Sequence, residues 1–324
     1  MTNAIRIHET GGPEVLRWES VEIGKPKPAE ARVRHTSIGV DYADVYYRKG
    51  VYPAELPLIP GHEAAGVIEE LGDDVTDIRV GDRVAYVTPG VGAYAEARVI
   101  EARYLVKIPD HVSDEQAAAA ILKGMTARYL LHETYRVKPN DISLVHAAAG
   151  GVGLMLCQWA KHLGATVIGT VSNESKAELA RANGCTYTID YTREDFVERV
   201  NHFTEGKRVP VVYDSIGKDT FMRSLDCLAP EGVMIVFGHT SGKVTPFDLM
   251  VLAAKGSLYV TRPTLWSRLK SREDLLSRAG EVFTMLERAV LRILINQTYP
   301  LSEARRAHGD LESRKTSGAT VLVP

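Results

Sequence analysis

Disulfides, membrane spans and a strong electrostatic field are what this sequence lacks, and each absence narrows the reading. Only three cysteines occur in 324 residues. Cys157, Cys185 and Cys227 share no metal-ligand spacing, and each falls in an expected helix or at a helix-to-strand junction. That usage suits a reducing compartment and not a disulfide framework. Lys plus Arg (39) nearly balance Asp plus Glu (41), a formal net charge of −2. No basic field is available to hold nucleic acid or an anionic membrane surface. No apolar run reaches the roughly 18 to 20 residues that a membrane helix needs. The opening stretch MTNAIRIHETGG has the pattern of neither a signal nor a transit peptide. The expectation is a soluble, cytoplasmic protein.

What remains is an ordinary globular composition, 45% hydrophobic and 25% charged, over a length that suggests about two domains. One stretch organises the rest: DISLVHAAAGGVGLMLCQWAKHLGATVIGTVS, residues 141–172. Ile142 to His146 read as a short buried strand, 147–153 as a turn of small residues, Leu154 to Leu163 as a helix closed by Gly164, and Thr166 to Val171 as a second strand. This strand–helix–strand unit is the context that a dinucleotide fingerprint requires. The second and third glycines of G-x-G-x-x-G are present as Gly150 and Gly153, while Ala148 stands in place of the first. Gly150 lets backbone approach a pyrophosphate. Gly153 lets the helix pack close to the strand, and the helix N-terminus, with Ala149, Gly150, Gly151, Val152 and Gly153 around it, offers free N–H groups to phosphates.

Around this unit the chain divides. Residues 4–110 are β-rich: AIRIHE, ARVRHTSIG, EAAGVIEELG, DRVAYV and YAEARVIEARYLVKIP are short runs separated by Gly, Pro and Asp, spaced as in a barrel-like domain. Residues 112–135 are helical, with Ser113 and Gln116 as a capping box and Gly124 expected to split the run in two. From 141 to 262 strands and helices alternate regularly, giving six strands of a doubly wound parallel sheet. The expected helices include 219–232, and a long one covers 264–291. The tail then returns to strand, helix, strand, and is expected to fold back onto the N-terminal domain. The nucleotide domain, about 125–263, would be inserted, with a cleft beside it.

The cofactor can be narrowed further. A reader of NAD usually carries a carboxylate at the end of the second strand, on the ribose 2′-OH. Here the strand ends Val171-Ser172-Asn173, and no carboxylate appears before Glu174. Ser172 with Lys176, and Tyr191 after the third strand, suit a 2′-phosphate and favour NADPH. The ends of later strands also face the ligand crevice in an open parallel sheet. They are Ser215 and Gly217, then Phe237, Gly238 and His239, then Thr261 and Arg262.

The stretches GGPEVL (11–16), SIGVDYADVYYRKGVYP (37–53), PGHEAAGVIEELG (60–72), GDRVAY (81–86), LKGMTARYLL (122–131), HAAAGGVG (146–153), YDSIG (213–217) and ESRKTSGATVLVP (312–324) resemble the medium-chain dehydrogenase/reductase superfamily. The chain is most similar to its zinc-free quinone oxidoreductases, the zeta-crystallin-like branch. The resemblance implies a GroES-like β-rich barrel domain (1–124 and 264–324), an inserted Rossmann domain (125–263), NADPH, a small quinone as partner and a homodimer, or else a tetramer. It also implies cofactor contacts from Asp41, Tyr46, Lys123 near the nicotinamide, Thr126 and Arg314. Tyr46 and Tyr52, with Asp41 beside them, are its candidates for catalysis, whereas Tyr42 and Tyr47 read as plain core or surface. Related reductases often carry Asn where Asp41 stands; an ionised Asp only accepts hydrogen bonds, which leaves it to orient Tyr46 or a ribose hydroxyl.

The zinc members of the superfamily use Cys, His and Cys as catalytic ligands. Here those places hold Asp41, His62 and Leu122, and no four-cysteine lobe is present. A zinc site needs about three protein ligands and an open position. The expectation is no metal, with His62 a hydrogen-bonded structural residue; the competing reading has Asp41, His62 and Glu63 hold one. A quinone is already electrophilic and needs no Lewis acid. Two rival activities share the pattern: reduction of α,β-unsaturated carbonyls, and a non-catalytic nucleotide- or RNA-binding role of the crystallin kind. The near-neutral charge weighs against nucleic acid.

Overall fold

The computed structural model describes residues 1–324, and its chain divides into two units, Met1–Met125 with Leu269–Pro324 and Thr126–Arg268. The first opens on an antiparallel pair, β1 (Thr2–Arg6) and β2 (Arg17–Val21). A longer strand, β3 (Glu30–Val40), alternates buried and partly exposed residues before its fully buried end, as a strand with one covered face should. Next comes α1 (Tyr42–Arg48), a helix that the sequence pattern does not announce. It is fixed by a capping box: Asp41 is the N-cap, and Asp44 Oδ2 accepts the Asp41 N–H at 2.9 Å. β4 (Glu63–Leu71), β5 (Arg83–Val87), β6 (Ala97–Glu101) and β7 (Leu105–Lys107) complete this stretch.

α2 (Asp114–Tyr129) is capped as expected, Ser113 N–H on Gln116 Oε1 at 3.0 Å and Gln116 N–H on Ser113 Oγ at 3.2 Å. It is not split at Gly124. A single glycine weakens a helix by only about 1 kcal/mol, and here it has a packing use: a Cβ at 124 would lie 2.6 Å from a Val282 methyl. A π-helical turn, Leu130–Thr134, ends the run.

The second unit alternates β8 (Ile142–Val145), α3 (Gly151–His162), β9 (Thr166–Val171), α4 (Glu174–Ala182), β10 (Tyr187–Asp190), α5 (Phe196–Phe203), β11 (Val209–Asp214), α6 (Phe221–Ser224), β12 (Leu228–Val236), α7 (Met250–Ala254) and β13 (Tyr259–Thr261). All pairings are parallel, in the order β10-β9-β8-β11-β12-β13. That is the doubly wound order, with its switch point between β8 and β11. One helix is shorter than expected. Residues 219–232 form only α6 and a turn at Leu225–Cys227 before β12 begins. Pro230 lacks the N–H that a continuing helix needs, and Glu231 sits at φ +60°.

The chain then returns to the first unit through α8 (Arg272–Glu287), which starts eight residues later than the expected 264, at a Ser271–Asp274 capping box. After it come β14 (Ile295–Pro300), α9 (Ala304–Glu312) and β15 (Ala319–Val323). β15 pairs antiparallel with β3, Val321 opposite Gly39, so the tail completes the first unit's sheet, ordered β14-β15-β3-β4-β5-β7 with β6 also on β3.

Candidate functional site

In the second unit the fingerprint turn is built by four small residues. His146, at the end of β8, is buried, with Nδ1 3.0 Å from Thr170 Oγ1 and Nε2 2.9 Å from Ser224 Oγ. Ala147 takes the positive φ (+52°). The methyl of Ala148 fits because residue 169 is glycine, whose Cβ would lie 2.6 Å from it. Gly150 is the N-cap of α3 at an ordinary φ of −81°, and an added Cβ would meet only Ala147 O, at 3.2 Å. The fold by itself therefore makes only a light demand for glycine at 150. Gly153 is different: its Cβ would lie 2.2 Å from Ala147 O. The first N–H groups of α3 have no acceptor within the helix and carry its positive end.

The end of β9 carries Ser172, and Asn173 caps α4 by accepting the Lys176 N–H at 2.9 Å. Tyr191 N–H donates to Val171 O at 3.1 Å, which brings the 38%-exposed Tyr191 to the same strand end. The next carboxylate along the chain, Glu174, pairs with Arg181, and Asp190, opposite Val171 on β10, accepts from Thr192. Further along the sheet, buried Asp214 shapes the turn after β11. Its Oδ1 accepts the N–H groups of Ile216 (2.6 Å) and Gly217 (3.1 Å), and its Oδ2 the Thr220 hydroxyl (2.8 Å). Gly217 (φ +87°) and Gly238 let the turns after β11 and β12 close on each other: a Cβ at 238 would lie 2.7 Å from Ser215 O. Phe237 N–H donates to Asp214 O at 2.8 Å, Arg262 Nη1 to Val236 O at 3.2 Å, and Arg262 Nη2 lies 3.3 Å from His239 Nδ1. Burial and then the charges of Arg262 and Lys243 lower the His239 pKa. Ser215, Gly217, Phe237, Gly238, His239, Thr261 and Arg262 thus share the carboxyl ends of β11, β12 and β13.

In the first unit α1 places Tyr46 against Tyr52 (ring centroids 5.2 Å) and Tyr42 (5.5 Å), and Tyr47 against Tyr52 (5.4 Å) and His62 (5.1 Å). Beneath the rings lies a buried ionic cluster. Lys123 Nζ, on α2, is 2.8 Å from Asp41 Oδ1 and 2.6 Å from Glu63 Oε1. Glu63 Oε2 accepts the Leu122 N–H at 2.7 Å. Asp44 joins this to a second chain of bonds: His62 Nδ1 is 2.8 Å from Asp44 Oδ1, and the Tyr94 hydroxyl donates to Asp44 Oδ2 at 3.0 Å. Tyr94 OH also lies 3.0 Å from His308 Nε2, and Arg48 links His308 to Glu312. Burial and then the charge of Asp41 raise the Glu63 carboxyl well above its usual range, with Lys123 pulling the other way. Burial opposes the Lys123 charge, but Asp41 and Glu63 outweigh it and raise the ammonium's pKa. Thr126 follows Lys123 by one turn of α2 and is partly buried. Arg314 is exposed, at φ +59° just past α9.

Asp41 is paired with Lys123. The competing reading, a metal ion held by Asp41, His62 and Glu63, does not fit the donor set, because an ammonium stands between the two carboxylates and His62 Nδ1 is turned to Asp44. Asp44, Asp214, His146 and His308 were not singled out from sequence. Only Asp44 left a local signal, an Asp three residues after the N-cap Asp41.

The chain as a whole is similar to known dehydrogenases and reductases. The family model described as an alcohol dehydrogenase GroES-like domain matches residues 27–110, and that described as a zinc-binding dehydrogenase matches 151–275. A quinone oxidoreductase of Pseudomonas aeruginosa is 51% identical, each chain covered in full. A 2-haloacrylate reductase of a Burkholderia species is 47% identical over all of this chain and 99% of that one. The solved structure of Escherichia coli quinone oxidoreductase with NADPH superposes at a TM-score of 0.97 and 46% identity, over 99% of this chain and 100% of that one.

Proposed function

Since the chain belongs to the quinone oxidoreductase branch of the medium-chain dehydrogenase/reductase superfamily, we propose that it is an NADPH-dependent quinone reductase working without a metal. The observation that carries the reading is the Lys123 ammonium between Asp41 and Glu63. A cation there leaves no Lewis acid for an unactivated alcohol or carbonyl, so the acceptor must be electrophilic itself, as a quinone is. Bound NADPH would supply the hydride. The chain's own work is to bind, orient and exclude water. Gly150 leaves room for the pyrophosphate, and the N–H groups of Gly151, Val152 and Gly153 face it, with Ala149 in the same turn. Ser172, Lys176 and Tyr191 receive the 2′-phosphate. Ser215, Gly217, Phe237, Gly238, His239, Thr261 and Arg262 line the rest of the dinucleotide, with Thr126 and Arg314 as further contacts. Asp41, Tyr46 and Lys123 serve the nicotinamide end. Tyr46 and Tyr52 offer aromatic faces and hydroxyls to the acceptor.

On this reading residues 1–124 with 264–324 are the catalytic domain and 125–263 the dinucleotide domain. No helix is long and apolar enough to cross a membrane, and a cytoplasmic location is part of the proposal. So is a homodimer: β13 ends its sheet with Tyr259 61% exposed, and Leu249 (72%) and Met250 (69%) are exposed a few residues earlier in the chain; an exposed apolar sheet edge favours pairing with a second copy. Analytical ultracentrifugation checks it. The 2-haloacrylate reductase relative favours one second reading, reduction of an activated carbon–carbon double bond by the same hydride. The deciding experiment is turnover of NADPH and NADH with a small benzoquinone and with an enone, with and without a chelator. Faster NADPH turnover with the quinone, unaffected by chelation, is expected. Dependence on a bound metal overturns the proposal, and preference for the enone replaces it by the second reading.

A further inference from the structure

The buried cluster has bonding capacity left over, and only on one side. An ammonium has three N–H donors, and Lys123 places two of them on Asp41 and Glu63. Glu63 has both oxygens engaged and no exposure at all. The backbone is shaped around that carboxylate, since a Cβ at Gly39 would lie 2.2 Å from Glu63 Oε1. Lys123 and Asp41 keep 4% and 8% exposure, and Asp41 Oδ2 is buried with no partner. Lys123 therefore keeps one N–H donor beyond the two that face Asp41 and Glu63, on a side chain that is not fully sealed, whereas Asp41 Oδ2 is closed off from solvent. The spare N–H of an ammonium is the complement of an oxygen on which negative charge develops.

Resting on the quinone reductase reading, we propose that Lys123 is a catalytic residue that stabilises the acceptor oxygen as it becomes negative, and that Glu63 is the positioning residue that aims it. In the reaction the acceptor takes up one hydrogen with both electrons of the bond it leaves. The donor is oxidised by two electrons and the acceptor reduced by two, and one acceptor oxygen is left as an anion. The third Lys123 N–H bonds that oxygen. A charge-assisted bond of this kind is about twice as strong as a neutral one, and it acts where charge develops. A proton from water then completes the hydroquinone. Asp41 and Glu63 raise the Lys123 pKa against the effect of burial, so the lysine acts by hydrogen bonding and does not surrender its proton. Glu63 cannot touch the acceptor and acts only by fixing the lysine.

The test compares wild type, Lys123→Met, Glu63→Gln and the double variant, each checked for folding by circular dichroism. Lys123→Met is expected to lower kcat with NADPH and benzoquinone, measured at saturating NADPH, about 100-fold. The loss shrinks along a series of quinones whose hydroquinones are more acidic, since less basic oxygens gain less from a donor; a merely structural defect would not follow that series. Glu63→Gln lowers kcat about tenfold, and the double variant is no worse than Lys123→Met alone, because groups acting as a unit are not additive. A readout without turnover uses 4-nitrophenol, which competes with the quinone. Its bound form ionises at lower pH in wild type than in Lys123→Met, seen by absorbance; this arm also serves should the double variant fold better than the single one. If wild type reduces benzoquinone while Lys123→Met keeps kcat within about twofold, or if 4-nitrophenol ionises alike in both, the role of Lys123 is overturned and the reductase reading stands. If wild type reduces no quinone, both fall.

Discussion

Gly150 and Gly153 lie three residues apart and answer to different demands. A side chain at 153 meets backbone at 2.2 Å, whereas one at 150 meets a single carbonyl oxygen at 3.2 Å. Gly153→Ala should therefore destabilise the second unit by about 3 kcal/mol. Gly150→Val should cost about 1 kcal/mol, the loss of a good N-cap, yet abolish NADPH binding. Thermal denaturation and a fluorescence titration of the two variants separate the cases; retained binding in Gly150→Val would remove the pyrophosphate from this turn. Lys176 belongs to the same scale. Lys176→Ala should raise the KM for NADPH roughly tenfold, the equivalent of one ionic hydrogen bond, and leave NADH nearly unchanged. Equal loss with both cofactors would take the 2′-phosphate away from Lys176. These residues were legible from sequence because glycine spacing and a missing carboxylate are local facts. The compensation between Ala148 and Gly169 was not, since 21 positions separate a methyl from the hole it fills.

At the level of elements, caps were readable and buried partners were not. Ser113 and Gln116 are three residues apart and were found. α1 was missed because its apolar spacing is interrupted by Asp41 and Asp44, whose bonds to Lys123, His62 and Tyr94 come from elsewhere in the fold. Asp44→Ala leaves three buried donors without an acceptor, a loss of about 3 to 5 kcal/mol, and should loosen α1 enough to quench activity before the second unit melts. Hydrogen exchange of the α1 amides is the measurement. The cysteines make a second case. Cys157 on α3 and Cys185 after α4 have their sulfurs 3.6 Å apart and free. Bonding to Cys185 and burial raise the Cys157 thiol well above its ordinary pKa, and only the thiolate is reactive. Iodoacetamide should leave both unmodified in native protein for hours and label all three cysteines in guanidinium. Native labelling of Cys157 would show that α3 opens readily.

For the whole molecule, the six-strand alternation and the returning tail could be read in order along the chain. The polar network that holds the first unit could not: Asp44 and His62 are 18 residues apart, and Arg48 and His308 are 260 apart, distances at which spacing carries no signal. Buried histidines, one of them in that network, shape the response to acid. Burial, opposed by a bond to Ala95 and helped by Arg98, lowers the His35 pKa to about 4; burial and then Arg48 lower His308 to about 3. Burial also lowers His146, against a pull from Asp214. An unfolded histidine titrates near 6.5, so as pH falls below that value the unfolded chain takes up protons that the folded chain refuses. Stability from these groups is present above the unfolded pKa and is lost as pH falls towards the folded one. Between pH 7 and pH 5 each of His35 and His308 should remove about 2 kcal/mol. Glu63 works in the opposite sense, because its carboxyl is raised. The clean readout is thus a difference in slope: His308→Gln should flatten the pH dependence of the unfolding free energy from urea titrations by about 2 kcal/mol over that range, whatever it does to stability at pH 7. Two of these three histidines lie in the first unit, so proteolysis at pH 5 should cut within residues 1–125 or 269–324 before it cuts within 126–268. First cleavage in the second unit would mean that His146 and its neighbours set the acid limit instead.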